Sequence, residues 1–261
     1  AGMYNAILTV TDSNGCQGYD TNIVVVDTLP IVNFSFTDTI CLGDTTFFTD
    51  QSINTSGTIT TWNWNFGDGN TSTDQNPIHL YNTAGTYTVI LNIIDDNLCQ
   101  NTDTQTVIVR PNPIAIFTAD TVCVGFNTEL QSLSISDPNY PNIAGTINSW
   151  DWIFGDGNSY GNDSSTVHNL YAPYGAYLVT LTVTDQYGCN TETSDSIYVN
   201  PGPIAAFVID TICEGDSTTF TDQSSLVPPL GVGVETWLWE FGDGNTSTDQ
   251  NPIHLYNTAG M

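Results

Sequence analysis

The groups in this chain able to do chemistry are three histidines, six cysteines and many aspartates. Each histidine follows a Phe-Gly-Asp-Gly turn: Asp68 precedes His79, Asp156 precedes His168 and Asp243 precedes His254. A carboxylate beside an imidazole could orient a general base or, with a third donor, hold a metal ion. Acyl transfer would also need a nucleophile on a sharp turn, and no Gly-x-Ser-x-Gly segment accompanies the histidines. Because the pairs occur three times, a catalytic role would require three copies of one site. The simpler expectation is structural, with each aspartate capping its own turn and each histidine packed near the following tyrosine, Tyr81, Tyr171 or Tyr256. No catalytic residue and no organic cofactor is expected.

Calcium is the one cation these carboxylates suit, since it takes several oxygen ligands converging from loops. Its candidates are Asp95 and Asp96, in Asp95-Asp96-Asn97, and Asp12, in Asp12-Ser13-Asn14. The cysteines fall into two contexts. Cys41, Cys123 and Cys213 each lie two residues before a glycine, whereas Cys16, Cys99 and Cys189 follow Tyr4, Tyr87 and Tyr177 by about one strand length. Neither context has zinc-ligand spacing, and recurring cysteines suit an oxidising compartment.

The elements that position these groups are repeats. Trp-x-Trp-x-Phe-Gly-Asp-Gly-Asn occurs at Trp62, Trp150 and Trp237, at intervals of roughly 87 residues, which is the size of a small β-sandwich. Phe66–Gly85 recurs unchanged as Phe241–Gly260, and Ala259-Gly260-Met261 repeats Ala1-Gly2-Met3. The expectation is one period of a longer chain cut within a domain at both ends. The alternative is strand addition, with residues 1–29 completing the last domain of a neighbouring copy. Within a repeat, apolar residues alternate with polar ones, as in Ile31–Phe36, Thr45–Thr49 and Gly85–Ile93, so the elements are half-buried antiparallel strands. Spacings of three and four never persist, so no helix is expected. Trp62 and Trp64, like Trp150 and Trp152 or Trp237 and Trp239, share a strand face and are expected to anchor the core, with Tyr87 and Tyr177 at a tyrosine corner. Pro30, Pro111, Pro113, Pro201 and Pro203 mark short, stiff linkers.

There is a single basic residue, Arg110, against 28 Asp and Glu, for a formal charge of −27. Phosphate backbones and anionic lipid surfaces both need a basic face, so nucleic acid is excluded as a partner. No apolar run is long enough to span a bilayer, so no membrane insertion is expected from this segment. The remaining polar surface is rich in Thr, Asn, Ser and Gln, in keeping with an extracellular location.

Trp-x-Phe-Gly-Asp-Gly, a downstream His-x-Tyr and Gly-x-Tyr-x-Val together resemble the PKD domain, a seven-stranded immunoglobulin-like sandwich. The resemblance covers the whole chain and departs from the pattern at His168-Asn-Leu-Tyr171, one residue longer. It implies an all-β rod of head-to-tail domains: residues 1–29 (C-terminal strands of one domain), 30–111, 112–201, and 202–261 (the N-terminal part of another). In that topology Cys41 and Cys99 lie at opposite poles of one domain, too far apart to bond. The exit pole of one domain faces the next, so Cys41 and Cys189 are expected to form an inter-domain disulfide. By the same rule Cys16, Cys99, Cys123 and Cys213 pair outside this segment; intradomain bridges and free thiols are the alternatives. The tandem arrangement is similar to the giant PKD-repeat surface adhesins of gliding bacteria, of the SprB type. That likeness implies a structural and adhesive segment of a cell-surface filament, exported by the type IX route. Its partners would be further copies of the repeat and an extracellular surface or polysaccharide. The other function weighed is a carbohydrate-binding accessory array on a secreted hydrolase, with Tyr140, Tyr160 and Tyr174 as exposed sugar contacts.

Overall fold

The computed structural model describes all residues except 38, 162, 163, 211, 214, 228–232 and 257–261. The described residues form strands and turns, with no helix. They fall into two compact units: Ala1–Ile116 with Ser134–Trp150 and Thr182–Glu192, and Phe117–Leu133 with Asp151–Leu181 and Thr193–Met261.

The first unit contains a complete sandwich. One sheet orders the strands Phe34–Phe36, Thr45–Asp50 and Ile78–Leu80; the other orders Ile40–Cys41, Gln100–Arg110, Gly85–Asp95, Ile59–Asn65 and Thr71–Ser72. Alternation decides what each face buries: Val89, Leu91, Ile93, Val107 and Val109 point inward and are closed off from solvent. Trp64, paired with Leu91, meets Phe34 edge-on at 5.1 Å between ring centroids and lies 5.5 Å from Phe48. Such contacts add about 0.5–1.5 kcal/mol per pair beyond the area they bury.

The expectation that both tryptophans anchor the core is corrected here. Trp64 is buried, but Trp62 is half-buried and packs on the cluster from its edge. Its indole Nε1 donates to Asp50 Oδ2 at 2.7 Å, which keeps the polar end of the ring at the rim. Tyr87 is likewise half-exposed, its hydroxyl donating to the Thr83 carbonyl at 2.8 Å across the corner that opens its strand.

Gly67 occupies a position no other residue fits well. Its φ is +83°, and a Cβ there would stand 2.6 Å from the Thr88 carbonyl oxygen. Gly67→Ala is expected to cost at least about 2 kcal/mol, from left-handed backbone plus overpacking. Gly69→Ala, also at positive φ but in open space, should lose clearly less in the same urea titration; equal losses would remove the close approach as the cause.

The first 29 residues form a hairpin, Gly2–Thr11 with Gln17–Val26, in a two-stranded sheet exposed along nearly its whole length. In the second unit Trp152 is buried and meets Phe117 edge-on at 5.5 Å, with Val179 and Leu181 also buried. Trp150, like Trp62, is only half-buried, and Tyr177 repeats the corner by donating to the Pro173 carbonyl. Residues 202–256 supply one three-stranded sheet, Phe207–Ile209, Ser217–Asp222 and Ile253–Leu255, facing a two-stranded ribbon of Trp239–Glu240 and Thr246–Ser247. Trp237 and Trp239 are both half-buried there, a further correction to the expected core.

Candidate functional site

Cys41 ends a short strand that pairs in parallel with the end of Gln100–Arg110, so it lies beside Arg110. Cys99 precedes the start of that same strand, eleven residues long. At about 3.3 Å per residue the two thiols are set apart by roughly a domain's length. Cys189 belongs to the hairpin turn between Gly175–Asp185 and Asn190–Val199 and is fully buried. The structure joins Cys41 to Cys189, with Cα atoms 5.4 Å apart and 148 residues between them. Cys16, Cys99, Cys123 and Cys213 are free thiols.

The staple is reinforced by the only basic side chain. The Arg110 guanidinium lies 3.4 Å from the Tyr187 ring centroid and donates to the Ile143 carbonyl at 2.9 Å. Asn112, between the two linker prolines, donates to the Leu42 carbonyl at 3.0 Å. A stacked Arg contributes about 0.5–2 kcal/mol depending on desolvation. The linker Pro111-Asn112-Pro113 is thus bypassed by one covalent bond and three polar or cation–π contacts, all within the first unit.

The calcium candidates have other employment. Asp95 Oδ1 accepts from the Asn97 and Cys99 amides, and its Oδ2 accepts from Asn54 Nδ2 at 2.9 Å. Asp96 Oδ1 accepts from the Thr58 amide. Asp12 Oδ1 accepts from the Asn14 and Cys16 amides, and Asp185 repeats the pattern with Tyr187 and Cys189. These aspartates fasten the hairpin turns that carry one class of cysteine. Among the described residues no three His, Cys, Asp or Glu side chains come together as a cluster, and Asp12, Asp95 and Asp96 spend carboxylate oxygens on backbone amides.

Asp68 caps its turn by accepting from the Asn70 amide and side chain, and it takes the His79 Nε2–H at 2.8 Å. His79 stacks on Phe66 at 4.2 Å and meets Tyr81 edge-on at 4.5 Å. The third repeat reproduces all of this with Asp243, His254, Phe241 and Tyr256. The second does not: His168 lies beside Glu129 at 3.3 Å, and Asn169 donates to Asp156 in its place at 2.8 Å. An imidazole wedged between two rings and hydrogen-bonded to a turn carboxylate fixes the strand Ile78–Leu80 against that turn. It offers no open coordination or proton-transfer geometry.

These bonds make the carboxylates more acidic. At Asp243 the Asn245 amide and the His254 side chain hold the acid at about 2, against partial burial, and at Asp222 the Ser224 hydroxyl and amide do the same. At Asp50, Asp68 and Asp156 burial pushes upward but is outweighed by donors, so these too fall below the ordinary 3.8. Between about pH 4 and pH 2 the unfolded chain therefore binds more protons than the folded one, and stability is lost as pH falls through that window. The urea midpoint should be set by these groups below about pH 4, and Asp68→Asn should be less stable than wild type at neutral pH, with the difference shrinking once the pH is lowered below about 4. Parallel curves at both pH values would show that Asp68 carries no such linkage.

One cavity, lined by Phe207, Phe220, Trp237, Leu238 and Trp239, measures about 350 Å³, within the range of small-molecule sites. Phe207, Phe220 and Trp239 align with Phe34, Phe48 and Trp64, which form a closed core in residues 30–111. The cavity is an uncovered core face. Tyr160 and Tyr174 are exposed and Tyr140 is half-buried; Tyr140 belongs to the first unit and the other two to the second.

Three relatives frame these features. The curated matches are to short parts of larger proteins: a collagenase, ColA, from Bacillus cereus is 39% identical over 67 residues, covering 26% of this chain and 7% of the collagenase. The pre-pro-metalloprotease PrtV of Vibrio cholerae is 30% identical over 143 residues, 54% of this chain and 15% of that protein. The chain therefore spans well under a fifth of these relatives' length. The crystal structure of the PKD1 domain of Vibrio anguillarum Epp is 32% identical, covering 32% of this chain and 96% of that domain, with a TM-score of 0.30. The PKD domain profile itself matches residues 27–109, 110–201 and 200–261. With its tyrosine corners, Gly-Asp-Gly turns and two-sheet core accounted for, the chain belongs to the PKD domain family.

Proposed function

We propose that this chain is a non-catalytic extracellular array that holds the working domain of a secreted hydrolase against an insoluble polymer. The observation that carries this reading is the Cys41–Cys189 bond, which together with Arg110 clamps the chain on both sides of a Pro-Asn-Pro linker. A clamped linker transmits position, which a flexible tether does not. The hydrolase context is supported by the collagenase and metalloprotease relatives, and the polymer would be a polysaccharide or collagen. The unchanged recurrence of Phe66–Gly85 as Phe241–Gly260 favours a second reading: repeated multiplication suits an adhesive cell-surface filament, with gliding-motility adhesion and type IX export as its setting.

Cosedimentation with cellulose, chitin and fibrillar collagen tests the choice. The first reading expects retention on at least one polymer, weakened by Tyr160→Ala or Tyr174→Ala. No retention above that of an unrelated protein of equal negative charge would overturn it, and binding to a bare abiotic surface would turn the choice to the filament.

A further inference from the structure

The repeats matched at residues 27–109 and 110–201 differ at the seam between their two sheets. In the first, Gln105 alternates with the buried Val107 and Val109, so it faces inward. Its Nε2 donates to the Phe34 carbonyl at 2.6 Å and to Asp103 Oδ2 at 3.2 Å, tying the strand Phe34–Phe36 to the strand Gln100–Arg110 of the other sheet. Phe36, two residues after Phe34, lays its ring 6.0 Å from Phe48 and packs on the core. The second repeat changes both residues. Counted from the turn cysteines Cys99 and Cys189, Asp195 stands where Gln105 does. The strand register sets Ala119 opposite Leu130 as it sets Phe36 opposite Phe48. An amide and a phenyl ring that close the first seam thus have no counterpart in the second. In their place is a cleft of about 230 Å³, lined by Phe117, Ala119, Asp120, Asp195, Ile197 and Tyr198, all within the second unit.

We infer that this cleft receives a lysine or arginine side chain of a partner polypeptide. The first repeat shows what such a seam holds when it is filled from within: an N–H donor aimed at a backbone carbonyl and a carboxylate, with an aromatic ring on the same strand as that carbonyl. Asp195 has no N–H to supply, and its Oδ1 accepts from the Ser196 amide at 2.7 Å. A long basic side chain brings both pieces, an aliphatic stem for the space of the ring and a charged head for that of the amide. The carboxylates of Asp120 and Asp195 bond a cationic donor more strongly than a neutral one, and Tyr198, 40% exposed, offers a ring to the same head. The occupant is not a side chain of this chain, which has no lysine and whose single arginine, Arg110, is held by Tyr187 and Ile143. A second copy brings the same engaged arginine and the same formal charge of −27, which repels it, whereas a basic partner is drawn in by that charge. The inference goes beyond the polymer-holding role and stands without it.

The test is a titration of the isotope-labelled chain with Nα-acetyl-lysine N-methylamide, read from backbone amide shifts, beside Nα-acetyl-norleucine N-methylamide, which has the stem without the charge. The expected result is a saturable shift confined to the amides of Phe117–Asp120 and Asp195–Tyr198, with the norleucine probe at least about tenfold weaker, as the loss of a hydrogen bond to a charged group requires. Asp195→Gln restores the amide of the first repeat at an exposed position, so it should leave the rest of the spectrum unchanged while weakening the lysine probe at least about tenfold. Ala119→Phe, which refills the space of the ring, should weaken both probes. The inference is overturned by the absence of a saturable shift at these amides, by equal binding of the two probes, or by undiminished binding to Asp195→Gln. Calcium chloride that shifts the same amides where the lysine probe does not would assign the cleft to a metal ion and overturn it as well.

Discussion

The double variant Cys41→Ser/Cys189→Ser is expected to lose about 2–5 kcal/mol of unfolding free energy and to free the two sides of the linker from each other. The bond closes a span of 148 residues, for which chain-entropy reasoning gives about 5 kcal/mol, with strain and residual unfolded structure lowering the realised value. What remains after its removal is weaker. Arg110 still stacks on Tyr187 and donates to Ile143, and Asn112 still holds Leu42, but together these are worth about 1–3 kcal/mol. The variant should therefore melt at a lower temperature, and amides around Tyr187 and Gly188 should exchange faster, because their turn loses its covalent tie. Replacing both cysteines avoids mispairing of the thiol left behind. A variant that melts with the wild type, with unchanged exchange at Tyr187, would show that the polar contacts alone fasten this pole.

Much of this fold was legible because two-residue alternation and repeated aromatics specify strands without reference to distant contacts. The pairing of Cys41 with Cys189 was a different kind of reading, since it needed the strand order that places Cys41 beside Arg110 and far from Cys99. Three local features were harder. Strand periodicity puts Trp62 and Trp64 on one face, but it cannot tell where the opposite sheet ends. Thr45–Asp50 stops at Asp50, so the ring at Trp62 meets a carboxylate where Trp64 meets Phe34 and Phe48. The exchange of His168 for Asn169 follows from counting back from the tyrosine. Asn169 stands two residues before Tyr171 as His79 stands two before Tyr81, and the extra residue is absorbed upstream. The turn aspartates could also have been recognised, because Asp12, Asp95 and Asp185 each precede a cysteine by four residues. That spacing lets one carboxylate oxygen accept from the amides two and four positions on, leaving less of it for a cation.

Trp64→Ala and Trp239→Ala pose one substitution in two settings. Trp64 is 1% exposed, and deletion of a ring this deeply packed costs about 3–5 kcal/mol. Trp239 keeps the same neighbours on one side: Phe207 at 5.3 Å, Phe220 at 5.5 Å and an Nε1 bond to the Asp249 carbonyl at 2.8 Å. Among the described residues no strand pairs with Trp239 as the hairpin strand does with Trp64 through Leu91. Transfer free energy scales with the area removed from water, so Trp239→Ala in the reduced, dilute chain should cost well under half as much as Trp64→Ala. The gap between the two losses measures what a covering hairpin contributes. Equal losses for Trp64→Ala and Trp239→Ala in the dilute reduced chain would mean that the strand from the hairpin adds little to the burial of this ring, and that the half-sandwich holds its tryptophan unaided.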